Sequence, residues 1–473
     1  MFCDFTYQDW LKEPADKRPM IEKVIAAHKG HRDTLKALEA QRYFDGDNTA
    51  INTKVMLKVN VREEIDDKGR MKRKPMKTEV AGARIPSAFF RTAIMQENQY
   101  LLSNGVLLDE GVKERLGIGF DTALENIGEK ALIQGVCYGF WNADHIEAIP
   151  MASDPLSGCA VLLDEIDGMP KVAIQYWQIN QDRPKYIRVF EHDGITVYRQ
   201  DDRAEMVIEQ DKRSYVQTII SDGAGDTIIG GRNYDFLPII PFYANNEKRS
   251  ELSASIKQKI DAYDRIISDF SDNLDRANDV YWALNNFGGS LNEALQTQQY
   301  INELKLVVNQ NDGTGGGASA EPHTVDVPYA ARKEALELLK KALYVDYMAV
   351  DMDAMTGGSL TNVAIKATMA NLDMKASRYE WQAFAFVQNV LKLLGIETEN
   401  IVFRRQTISN DTETVQAIYT MRSDIDIRTA LELNPYINAD DIDTIIANLD
   451  AEAASGLSSM EQLQKVIDEG DTD

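Results

Sequence analysis

The chain has 473 residues, enough for two to four domains, and its 75 acidic against 51 basic residues give a formal charge of -24. That balance excludes a protein that wraps nucleic acid by neutralising phosphates. Cys3, Cys137 and Cys159 form no CxxC pair and are too few for a disulfide framework, so packing thiols in a reducing compartment are expected.

No run of 18 apolar residues marks a membrane span, and none is expected. The N-terminus carries Asp4 and Asp9 where a signal peptide is basic and then apolar, which predicts a start in a cytoplasm. A helix is predicted from about Asp16 to Glu39, then a turn cluster Tyr43-Phe44-Asp45-Gly46-Asp47-Asn48. The strand Ile51 to Val61 pairs across the Asp-Asp-Lys-Gly tip at 66 to 69 with an arm carrying Arg70, Lys72, Arg73, Lys74 and Lys77. This basic cluster is read as the solvated end of a hairpin.

Two helices follow, Pro86 to Ser103 and Asp121 to Gly135, and then an apolar segment Val136 to Trp141. There the period changes to two. Ala160 to Leu163, Lys171 to Trp177, Lys185 to Phe190, Thr196 to Arg199 and Tyr215 to Ile219 read as an antiparallel meander. A strand end, Pro238-Ile-Ile-Pro241-Phe242-Tyr243-Ala-Asn245-Asn246, feeds the longest amphipathic stretch of the chain. From Ile256 the apolar positions fall at Ile260, Tyr263, Ile267, Phe270, Leu274, Ala277 and Tyr281, alternating four and three apart. A helix from Ser250 to Tyr281 would be about 48 Å long at 1.5 Å per residue, so its stripe must be buried by neighbours in the same chain, in other copies, or both.

Residues 285 to 328 form an insertion containing Asp312-Gly-Thr-Gly-Gly-Gly317, with short strands predicted at Leu304 to Val308 and His323 to Val327. The glycine run has no GxxxxGK[ST] pattern and no following Lys, and is read as a loop tip rather than a phosphate cradle. Helix returns at Tyr329 with Ala335, Leu338, Ala342, Val345 and Ala349, a stripe matching the first and able to zip against it antiparallel. A break at Val350 to Ser359 precedes a helix from about Leu360 to Leu394, closed by Gly395. Short helices fill the acidic tail, one of them beginning at Asn438.

Catalytic chemistry finds little support. The five histidines, His28, His31, His145, His192 and His323, are scattered, and the pairs Asp351/Asp353 and Asp424/Asp426 lack further carboxylates for a metal. No GxSxG element or P-loop occurs.

The order of these elements resembles the portal proteins of tailed bacteriophages, most closely those of siphophages. The residues that carry the likeness are Tyr43 to Asn48, Phe90 to Leu102, Gly135 to Gly139, Pro238 to Asn246 with Ile256 to Asn273, and Thr356 to Ser377. The resemblance implies an α+β, predominantly helical fold and a structural, non-enzymatic role without cofactors. Its parts would be a wing (1–248, completed by 360–409), a stem (249–282 and 329–350), a clip (283–328), a tunnel loop (351–359) and a crown with acidic tail (410–473).

It further implies a virion component, assembled in the host cytoplasm as a ring of twelve copies at one capsid vertex. Double-stranded DNA would pass non-specifically through the ring. The expected partners are the terminase large subunit, the major capsid protein, a scaffolding protein and a head-completion or adaptor protein. The tunnel loop would comprise Asp351, Asp353, Met355, Thr356, Gly357, Gly358 and Ser359. Stem packing would rest on Ile256, Ile260, Tyr263, Ile267, Phe270, Leu274, Leu338 and Val345, with Lys257, Asp261, Asp264 and Glu334 as seam charges. Arg276, Lys333, Lys340 and Lys341 would be seam or outer-face charges, or sparse basic rings toward DNA. The alternatives are another oligomeric virion protein, such as a head-tail adaptor or capsid component, and a DNA-processing enzyme of the packaging machinery.

Overall fold

A computed structural model describes residues 3–13, 16–52, 55–65, 71–109, 111–201, 204–222, 225–277, 281–285, 319–323, 329–355, 361–398, 400–406, 411–421, 424–437 and 441–451. They belong to two compact units, Met1–Ala349 with Arg378–Arg404, and Val350–Ser377 with Arg405–Asp473.

The first unit opens with α1 (Tyr7–Lys12), α2 (Arg18–Gly30) and α3 (Arg32–Phe44). Where one helix is expected from Asp16, the structure breaks at His31, whose extended backbone and ring Nδ1, accepting the Asp33 N–H at 3.2 Å, start a new helix. That helix runs through Phe44 and absorbs Tyr43 and Phe44 of the predicted turn cluster. After α4 (Thr49–Asn52), β1 (Val55–Ile65) pairs antiparallel with β2 (Met71–Ala81), so the hairpin begins later than the predicted Ile51.

Then come α5 (Phe89–Leu102), β3 (Val106–Leu107), α6 (Val112–Leu116) and α7 (Phe120–Gln134). Gly135 ends α7 at φ +95 with the Arg249–Ser250 backbone 2.9 Å from where a Cβ would stand, so strain and space both demand glycine. From it run β4 (Val136–Asn142) and β5 (His145–Pro150).

Six strands form the meander: β6 (Ala152–Asp154), β7 (Ser157–Leu163), β8 (Pro170–Trp177), β9 (Lys185–Glu191), β10 (Gly194–Gln200) and β11 (Val207–Arg213), paired in sequence order. The sheet is apolar on both faces. Ala160 and Leu162 of β7 pack with Trp10, Ile21 and Val24 of the N-terminal helices, while Cys159 and Val161 pack with Phe140, Phe190 and Leu237. The sequence reading placed Tyr215 to Ile219 in this sheet. Instead the exposed, mostly polar β11 takes the edge, as solvated edges favour, and among the described residues β12 (Val216–Asp222) pairs only with β13 (Gly225–Arg232). A three-stranded sheet, β14-β4-β5, has β14 (Ile239–Tyr243) at its edge, where Pro241 costs the ladder no donor.

The main core joins α5, α7, β4, β14 and the helices α8 (Ala254–Ala277), α9 (Tyr329–Tyr347) and the C-terminal half of α10 (Asn362–Leu393). Phe242 sits at its centre, stacked on Tyr379 (5.6 Å) and Phe386 (5.0 Å). β15 (Tyr281–Asn285) and β16 (Ser319–His323) pair between α8 and α9 in the chain, and β17 (Val402–Phe403) pairs with β3.

In the second unit, residues 362–377 of α10 meet α11 (Asp411–Thr420): the Asn362 N–H donates to Glu413 Oε2 at 2.6 Å. Arg405 binds the Asp373 carboxylate and donates to Ser377 Oγ at 3.0 Å. Asp426 caps α12 (Ile427–Glu432) by accepting the Thr429 N–H at 2.8 Å.

Candidate functional site

The long-helix hairpin carries the residues singled out for self-association. Its first helix is shorter than expected: α8 stops at Ala277, about 36 Å long at 1.5 Å per residue, and Tyr281 and Trp282 stand in β15. Burial falls along its apolar stripe. Ile256 and Ile260 lie in the main core, Tyr263, Ile267 and Phe270 are half-buried, and Leu274 is 48% exposed.

Within the protomer the returning helix packs a different stripe from the one singled out for the stem. Leu338 and Val345 are 61% and 57% exposed, while Leu343 and Tyr347 are buried and Leu336 and Leu339 half-buried. Both stripes recur at three- and four-residue spacing, so periodicity alone cannot choose between them; Tyr347 settles it, donating its hydroxyl to the buried Glu97 at 2.9 Å. Lys259 and Asp346 pair across the hairpin, and Phe270 meets Tyr329 at 5.9 Å.

The candidate basic residues disperse. Lys333 pairs with Glu337 at 3.7 Å on an exposed face, Lys340 lies over the Tyr344 ring at 5.8 Å, and Lys341 is exposed. The side chain of Arg276 lies outside the described residues. Of the tunnel-loop segment, Met352–Met355 form a single 3-10 turn in which the Asp353 N–H donates to Asp351 Oδ1 at 3.2 Å. Thr356, Gly357, Gly358, Ser359 and the Met355 side chain lie outside the described residues, as do Leu304 to Val308 and Asn438.

Sequence reasoning missed the polar face of α8. Asp261 and Asp264, read as seam charges, are buried within the protomer, and with Ser268 and Asp272 they form a ladder. Asp264 Oδ1 accepts the Ser87 N–H at 2.9 Å, Ser268 Oγ the Ile85 N–H at 3.1 Å, and Asp272 Oδ1 the Ala83 N–H at 2.7 Å.

The match is geometric. Four helical residues rise about 6.0 Å and two extended residues about 6.6 Å, so every fourth side chain of α8 meets every second N–H of the segment. A helix here does the work of a neighbouring strand for the chain that follows β2. Tyr43 donates its hydroxyl to Asp261 and Asn48 its amide to Asp264; Lys257 Nζ lies 2.8 Å from Asp261. Burial raises the Asp264 carboxyl, the hydrogen bonds from Asn48 and Ser87 oppose it, and the charge of Asp261 adds to it. Burial acts to lower Lys257, but its hydrogen bonds with Asp261 and Tyr43 outweigh that and hold it above the ordinary value. The signal available in sequence was three polar residues four apart on one helix.

His28 and His31 have separate duties, the first a core residue bonded to Tyr176 at 2.9 Å and the second a helix cap. All three cysteines are buried free thiols, and burial pushes Cys137 up to about 12. Among the described residues no helix is long and apolar enough to cross a membrane.

The family model described as "Phage portal protein, SPP1 Gp6-like" matches residues 21–469. The chain is 26% identical over 215 residues to the portal protein of Clostridium phage phiCD119, covering 43% of this chain and 46% of that protein. It is 28% identical over 218 residues to the portal protein of Bacillus phage SPP1, covering 42% of each. The aligned stretches therefore span less than half the length of either relative. A mixed α+β chain matched by one family model from the second helix to the acidic tail belongs to the SPP1 Gp6-like phage portal protein family.

Proposed function

We propose that copies of this chain close into a ring of twelve at one capsid vertex, forming the passage for double-stranded DNA during packaging and ejection. One observation supports the reading: α8 and α9 bury other side chains in the protomer and leave the apolar Leu274, Leu338 and Val345 exposed, available for a neighbouring copy to cover. The charge of -24 supports it, because an acidic bore repels phosphates and DNA slides without sticking.

In this reading residues 1–248 and 360–409 form the wing in the capsid vertex, and 249–282 with 329–350 the stem. The clip at 283–328 faces the terminase large subunit during packaging and a head-completion or adaptor protein afterwards. Residues 351–359 form the tunnel loop and 410–473 the crown. The major capsid and scaffolding proteins meet the wing, and the assembly is a virion component without catalytic activity. Mass photometry of the purified chain tests the reading: particles at twelve times the 53.2 kDa subunit mass with a central hole in class averages are expected. A monomer at every concentration and ionic strength would overturn it.

A further inference from the structure

The β4–β5 turn, the strand β9 and the chain after β11 enclose a pocket of about 250 Å³ lined by Phe140, Asn142, Arg188, Arg213, Ser214 and Gln217. Two guanidiniums line so small a space in a chain of net charge -24. Arg188 is half-buried, its head 5.5 Å from the Trp177 ring centre and 5.9 Å from that of Phe190.

Its carboxylate is poor compensation. Glu147 stands 3.7 Å from Arg188 and also accepts from Asn142 at 2.7 Å and lies 3.4 Å from His145. Arg213 has no carboxylate within ion-pairing distance among the described residues. Burial lowers Arg188, Glu147 partly offsets this, and the like charge of Arg213 adds to it. Like charges held together with less than one shared counter-charge leave a local deficit that an anion would fill.

We infer that this pocket is an oxyanion site, taking one phosphate or carboxylate group between Arg188 and Arg213 with Ser214 and Gln217 as neutral donors. The volume suits a single such group and not a drug-sized ligand. Planar guanidiniums suit the paired oxygens of either anion, and the aromatic rings under Arg188 fix the plane of its fork.

The test is calorimetric titration of the full-length protein with inorganic phosphate and, separately, with acetate, at constant ionic strength against chloride. Saturable binding of one anion per chain is expected, weakened about tenfold by Arg213→Gln and by Arg188→Lys, which keeps the charge but loses the fork. Arg213 is exposed, so its variant should fold; Arg199→Gln, whose partner Asp201 lies just past the end of β10, should bind as the parent does. Saturation by phosphate alone assigns the site to a phosphate group, and saturation by acetate alone to a protein carboxylate. Binding of neither anion, or equal binding by the parent and both arginine variants, would overturn the inference.

Discussion

Asp272 accepts the backbone N–H of Ala83 at 2.7 Å, joining positions 189 apart in sequence. With Ser268 and Asp264 it ties the chain leaving the β1–β2 hairpin to the first long helix. That tie makes α8 a fixture of the protomer before any copy meets another.

Replacing Asp264 by Ala should destabilise the protein by about 3 kcal/mol, because the buried Asn48 amide and Ser87 N–H each lose their acceptor. The urea midpoint should fall without a change of slope, and the Ser87 amide should exchange faster. Gln258→Ala, on the exposed side of the same helix, should leave both unchanged. An Asp264→Ala midpoint equal to the parent's would remove the ladder from the account of stability.

Acid should act through His28. Burial, with the charges of His31 and Lys29 adding to it, pushes this ring from 6.5 down to about 4. Between those values the unfolded chain takes a proton that the folded chain refuses, so stability is complete above pH 6.5 and falls as pH drops through the window. The full loss is about 3 kcal/mol. Asp264, whose folded value is raised, works in the opposite direction at the acid end, so the comparison must be between variant and parent. His28→Asn should lower the melting temperature at pH 7 yet flatten its decline toward pH 4.5.

Gly139 lies in β4 where an added Cβ would stand 2.6 Å from Phe386 Cζ and 2.8 Å from Ile146 Cδ1. Phe386 is itself stacked on Phe242 and cannot retreat freely. Gly139→Ala should cost about 1–3 kcal/mol by overpacking, read from chemical denaturation. A neutral result would mean the aromatic stack yields.

Aspartate placed at Leu338 or Val345 should leave circular dichroism and melting temperature close to the parent's, since both side chains are exposed in the protomer. Sedimentation should then show loss of the ring. Leu343→Asp, in the main core, should abolish folding instead. Intact rings from both exposed-site variants would place the interface between copies elsewhere.

Changing Gly357 and Gly358 together to Pro should spare ring assembly and block DNA packaging, as expected if residues 351–359 move with the DNA. Packaging at normal yield in an infection assay would refute the tunnel-loop role.

Local chemistry made much of the chain legible. The period-two segments from Ala160 to Arg199 became strands β7 to β10, and Gly135 and Gly395 closed their helices at positive φ. Periodicity, turn residues and caps act within a few positions, so composition and order sufficed to point to the portal family. Three matters were decided only by tertiary contact: which of two stripes on α9 packs, which strand joins the meander edge, and that Asp261 and Asp264 are buried. The first and third depend on partners far along the chain, Glu97 for Tyr347 and residues 83 to 87 for the α8 ladder, whereas the edge strand β11 pairs with its immediate predecessor β10. A stripe of spacing three and four declares a helix, but the face that meets the core is chosen by whichever distant groups leave fewest polar atoms unpaired.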